Sequence, residues 1–229
     1  MGTSSARRGP TTASWRAAKA AATRYLSPEG GGELNAREVV SRYLAAMEET
    51  PGQEDFLAVF RFTRKIAKDL GAFWEKVNLR GWEESLPERG LAPLAQGPPE
   101  VLAQGLSAAL AGSGGGLEEA VVRSALASLL RTAVQLKKSP AAAHLVRQFL
   151  TTAVALRLAL DLGEPLEAAA GGYSRLQDGF SHIKKLIEVN LSEAEGQTEP
   201  PATLEHWQGL TGWLWVTETM AALKAKLGQ

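Results

Sequence analysis

His144, His182 and His206 are the side chains best suited to move protons at neutral pH. None belongs to a His-Glu-x-x-His or Glu-x-x-His pattern, so the helical zinc and di-iron arrangements are not expected. The chain has no cysteine, which excludes disulfides and thiolate metal centres. Asp178 and His182 stand one helical turn apart and could share a proton or a metal; a hydrogen bond on a helix surface is the simpler reading. The other carboxylates form no suggestive pair. Glu118 and Glu119 suit a helix start, and Glu188, Glu193, Glu195 and Glu199 read as a solvated face. Gly112-Ser113-Gly114-Gly115-Gly116 lacks the Lys-Ser/Thr of a phosphate loop and follows no strand, so it reads as a linker. No cofactor and no metal are expected.

One spacing has a catalytic precedent. Arg175 and His182 are separated by six residues in a chain that reads as all-helical. The pair resembles the Arg-x(4–6)-His signature of HEPN ribonucleases. That resemblance implies metal-independent RNA cleavage by these two side chains, in the cleft of a dimer. It covers Arg175 and His182 alone. Leu176 stands where that family usually has a small polar residue, and Gly179 falls inside the motif.

Charge is more informative than catalysis. Lys+Arg and Asp+Glu both total 25, so net charge selects no partner. The distribution is uneven. Residues 1–28 hold Arg7, Arg8, Arg16, Lys19 and Arg24 and no acid, a composition that would also suit an organellar transit peptide. Arg61, Arg64, Lys65 and Lys68 share one side of a helix whose other side is apolar. Residues 164–205 carry eight acids against three bases. Basic helix faces can follow a phosphate backbone without reading sequence, or they can meet an acidic protein. Tryptophan is the second feature. Trp207, Trp213 and Trp215 fall within nine residues, and Trp213 and Trp215 lie about 200° apart on a helix. With Trp213 inward, Trp207 and Trp215 become the expected partner anchors.

The elements that must position these residues are helices. The densest apolar stretch, Pro140 to Leu162, is apolar nearly all round and must be covered on most sides. Ionisable groups inside it and near its ends rule out a membrane span. With Leu117 to Lys138, turned by Ser139-Pro140, it forms a helical hairpin at 117–162, the expected kernel. Gly163 and Pro165 mark its end and the start of a further helix. Phe56, Val59, Thr63, Ile66, Leu70, Phe73 and Val77 step by three and four along one long helix. Trp213, Val216, Met220, Leu223 and Leu227 do the same in a last helix from about 202 to 227. The expected architecture is an all-α bundle of seven or eight helices. A flexible start (1–10) precedes an N-terminal helical section (11–86), a Pro/Gly-rich connector (87–99) and a C-terminal bundle (100–229). The expected function is a non-catalytic subunit of a larger assembly, a nucleoprotein complex being one form of it. Alternatives are the ribonuclease above and a helical pocket for a small apolar ligand. Protein partners and a cytoplasmic location are expected.

Overall fold

The computed structural model describes residues 12–27, 33–49, 55–112, 114–136, 139–193 and 199–228. Arg7 and Arg8 lie outside them. The fold is all-α, with ten α-helices among the described residues: α1 (Ala13–Leu26), α2 (Glu33–Glu48), α3 (Phe56–Val59), α4 (Arg61–Ser85), α5 (Pro99–Ala111), α6 (Leu117–Ala133), α7 (Ala142–Ala170), α8 (Tyr173–Glu193), α9 (Leu204–Gln208) and α10 (Leu210–Leu227). Two single 3-10 turns, Pro87–Arg89 and Ala92–Leu94, occupy the Pro/Gly-rich stretch. Among the described residues no helix is long and apolar enough to cross a membrane.

The centre is α7. Leu145, Val146, Phe149, Leu150, Ala153, Val154, Leu158 and Leu162 are all fully buried. They are covered by α1, α4, α6 and α8. The apolar wheel read from the sequence is thus enclosed on several sides, as its lack of a polar face requires. The helix does not end at Gly163. It runs through Pro165 for two more turns and stops at Gly171, whose φ of 64° is the left-handed geometry of a helix C-terminus. An internal proline forfeits one backbone hydrogen bond, a cost of about 3 kcal/mol. Burial of Leu162, Leu166 and Ala170 along the same face offsets it.

α1 begins at Thr12, whose hydroxyl accepts from the Trp15 backbone N–H, and buries Trp15, Ala18, Ala22, Tyr25 and Leu26. The Tyr25 hydroxyl donates to the Gly179 carbonyl at 3.1 Å, and burial pushes its pKa up to about 12. Gly179 is therefore a seat for α1 as well as a weak point in α8. The long apolar stripe is split into two helices. α3 ends at Phe60, whose ψ of 26° interrupts the run, and α4 then buries Thr63, Ile66, Leu70, Phe73 and Val77. A kink at Gly81 (φ 77°, ψ 174°) turns the last residues of α4. The expected final helix is also split, at Gly209, into α9 and α10.

Buried polar contacts fix α4 in place. Glu118, in the first turn of α6, accepts from the Thr63 N–H at 2.7 Å and from its hydroxyl at 2.9 Å. Thr63 is in the first turn of α4, where backbone donors lack helical partners. The Trp74 indole and the Asn78 amide both donate to the Pro140 carbonyl, at 3.0 and 3.1 Å. Ser139, in the turn between α6 and α7, donates its hydroxyl to the Asn78 side-chain carbonyl. Tyr43 donates to Asp161 at 2.8 Å, and Arg157 donates to the same carboxylate oxygen at 2.8 Å. Burial, with the Asp161 carboxylate beside it, holds the Tyr43 phenol neutral well beyond its ordinary range. α6 stops at Ala133; Lys137 and Lys138, expected at its C-terminus, lie outside the described residues.

Candidate interaction surface

The basic residues of α4 do not all face outward. Arg61 and Lys65 are exposed and Lys68 is half-buried, at spacings of four and three that place them on one side of the helix. Arg64 is buried, at 8% exposure. Its Nε and Nη2 donate to the Leu57 carbonyl at 3.1 and 2.9 Å, and its Nη1 donates to the Thr217 hydroxyl at 2.9 Å. Its guanidinium lies 4.8 Å from the centroid of the Trp213 ring. Burial lowers the Arg64 pKa, with Asp55 and Glu118 opposing the shift. The expectation that it belongs to an exposed basic face is corrected: a long stem lets this cation turn into the seam between α4 and α10.

The tryptophans are placed opposite to expectation. Trp215 is buried, and so is Trp207. Their rings meet edge to face with centroids 5.3 Å apart. Trp213 is the half-exposed one, beneath Arg64. The break at Gly209 resets the helical phase, so α10 turns Gly212, Trp215, Val216 and Thr219 inward. Trp207 and Trp215 therefore offer no ring to a partner here. The apolar side chains that α10 does expose are Leu210 (70%) and Leu214 (47%), one turn apart.

These groups converge. Trp207 packs on Gly71, where a Cβ would enter the indole ring, and Arg64 meets Thr217. α10 thus runs antiparallel to α4. The exposed sides of these two packed helices carry Arg61, Lys65 and half-buried Lys68 on α4 and Leu210 and Leu214 on α10, a basic and apolar ridge.

The other basic group lies elsewhere. α1 packs on α2, α7 and α8, whereas α4 packs on α6, α7, α9 and α10. Arg16 is exposed and Lys19 half-buried. Arg24 is engaged with Glu38 at 2.7 Å, an exposed ion pair worth about 0–1 kcal/mol. The structure does not bring this group together with the α4 residues.

Arg175 and His182 are both exposed on α8, two turns apart on one side with Asp178 between them. His144, expected to be packed, is also exposed, as is His206. Among the described residues no group of three or more His, Asp or Glu side chains could hold a metal.

Sequence reasoning overlooked one polar feature. Gln148, Thr151 and Thr152 share a face of the otherwise apolar α7, and with α6 and α8 they line a cavity of about 270 Å³. The spacing of three and four was the available signal.

The fold and this surface define an all-helical protein with a basic and apolar ridge on α4 and α10. Within that class the chain belongs to the QatB family. The model of that family, described as Qat anti-phage system associated protein QatB, matches residues 52–202. That stretch spans α3 to α8, including Arg61, Lys65 and Lys68, and omits α10. Neither the curated proteins nor the solved structures contain a significant match.

Proposed function

We propose that this chain is a non-catalytic subunit of a multi-protein Qat anti-phage assembly, and that it docks an acidic protein partner of that system on the α4–α10 ridge. What supports this reading is that Arg61, Lys65 and Lys68 on α4 and exposed Leu210 and Leu214 on α10 lie on two helices that pack together, in a chain of this family. Leucines supply area removed from water, and the flanking cations select an acidic surface and speed encounter. Nucleic acid is the other polyanion this surface could meet, but phosphate backbone has no use for the two leucines.

The test is co-expression with the proteins encoded beside it. Charge reversal of Arg61, Lys65 and Lys68 to Glu is expected to abolish co-purification while the melting temperature moves by no more than about 6 °C and the protein stays folded, since surface substitutions change stability by about 0.5 kcal/mol or less each. Leu210→Ser with Leu214→Ser is expected to weaken it too. Co-purification that survives both variants across a salt titration refutes the reading. If the wild type binds duplex DNA and the reversal reduces the log–log salt slope by about 2.7, as three lost phosphate contacts would, the partner is nucleic acid instead.

A further inference from the structure

The long helix α4 is electrically divided. Residues 56–68 hold Arg61, Arg64, Lys65 and Lys68 and no acid, whereas residues 81–88 hold Glu83, Glu84 and Glu88 and no base. The bases that flank the acidic half are already engaged. Lys76 is paired with Glu88, and Arg80 acts on the same carboxylate. Arg89 lies over the Phe73 ring, 5.2 Å from its centroid, and interacts with Asp69. Glu83 and Glu84 are exposed. The same half carries a recess. Gly81 breaks the run of α4 with a backbone that only glycine adopts readily (φ 77°, ψ 174°). Just beyond it, Trp82 and Glu83 line a cavity of about 590 Å³ with Arg80, Ala92 and Ala95. Trp82 is half-buried, its ring 5.4 Å from that of Trp74 and 6.2 Å from that of Phe73. Leu79, on the other side of the break, is 63% exposed.

Acidic, aromatic and concave, this end of α4 complements the basic ridge with its two exposed leucines. One molecule cannot join its own pair of surfaces. From Lys65 to Arg80 the helix spans about 22 Å, twice the screening length of about 10 Å at 0.1 M salt. The contact must therefore be made between molecules. A net charge of +0 leaves little overall repulsion to keep copies apart. The cavity falls in the range of roughly 300–1,000 Å³ typical of ligand sites, so it has room for leucine side chains. Contacts of this kind close a dimer when made reciprocally and extend a chain when made one at a time.

We infer that the acidic partner of the α4–α10 ridge is a second copy of this chain. Leu210 and Leu214 of one copy enter the Trp82 recess of the next, and Arg61, Lys65 and Lys68 meet its Glu83 and Glu84. This rests on the docking reading above and names its partner. The test is light scattering on the full chain, eluted at about 1 to 100 μM. The wild-type mass is expected to rise with concentration to a dimer or beyond, and to fall as salt rises. Reversal of Arg61, Lys65 and Lys68 to Glu, and separately Glu83→Lys with Glu84→Lys, should each raise the midpoint concentration at least about tenfold, because like charges then meet. Mixed in equal amounts, the two variants should associate again. The intact ridge of one and the intact recess of the other form a wild-type contact, as do the two reversed surfaces; a misfolded variant would not be rescued. A wild type that stays monomeric throughout overturns the inference. So does either variant associating as the wild type does, or a mixture no heavier than its components. Co-purification judges the docking reading separately: a monomeric wild type whose co-purification is abolished by the ridge reversal removes this inference alone.

Discussion

Arg64→Met separates a structural cation from a docking one. The substitution keeps a long apolar stem against Trp213 and removes the guanidinium. Three donor bonds disappear, two of them to the Leu57 carbonyl and one to Thr217. The Leu57 carbonyl belongs to the four-residue α3, where the Phe60 N–H serves the Phe56 and Ala58 carbonyls and Arg64 serves that of Leu57. A hydrogen bond from a charged donor is worth about 1.5–3 kcal/mol net, and the cation–π contact roughly 1. Against this, methionine removes the burial penalty that already lowers the Arg64 pKa. Two bonds to one acceptor count for less than two independent bonds. The balance is a loss of about 2–3 kcal/mol. In a chain of this size each kcal/mol moves the midpoint by about 2–4 °C, so the melting temperature should fall by about 4–12 °C. Circular dichroism melts and urea titration both measure it. Partner binding by the folded variant should be unchanged. A variant that melts with the wild type but has lost its partner would refute the placement of Arg64 as a seam residue.

Gly71→Ala is expected to destabilise by about 1–3 kcal/mol or more, because the new methyl enters the Trp207 ring and must push it off Trp215; an unchanged urea midpoint would contradict that packing. Glu118→Ala should cost about 1–3 kcal/mol by leaving the Thr63 N–H and hydroxyl unmatched. Burial raises the Glu118 pKa, with the Thr63 bonds pulling the other way. The protonated form is therefore favoured on folding, and that contribution is complete below the unfolded carboxyl value near 4.3 and lost as pH rises through the raised one. Glu118→Gln, which cannot ionise, should gain on the wild type as pH rises above the unfolded carboxyl value near 4.3, and parallel stability curves would disprove it. Arg175→Ala and His182→Ala should protect cells from phage as the wild type does, while the Arg61/Lys65/Lys68 reversal should not; loss of protection in either α8 variant, with folding intact, would favour the ribonuclease reading.

What could be read in the sequence was whatever one helix decides for itself. The apolar wheel of α7 and the inward stripe of α4 depend on local spacing, and they appear where the spacing puts them. Gly163 and Pro165 misled because a local breaker was weighed without its surroundings: two further turns of buried Leu166 and Ala170 outweigh the missing hydrogen bond. Trp213 and Trp215 were correctly placed on opposite sides of one helix, but which side is inward depended on the turn at Gly209. Arg64 was assigned by charge to the solvent, although its acceptor, Thr217, lies 153 positions away.

The same limit explains the polar cavity. Ser128 and Thr132, Gln148 and Thr152, and Lys184 and Glu188 are each ordinary pairs on their own helices. Taken singly they predict a solvated edge. Only the packing of α6, α7 and α8 turns the three edges toward one space. A greasy kernel explains why these helices associate, since each fully buried leucine contributes about 1.5–3 kcal/mol. It does not explain why polar pairs were kept along the same seam, where leucine or valine would seal it more stably.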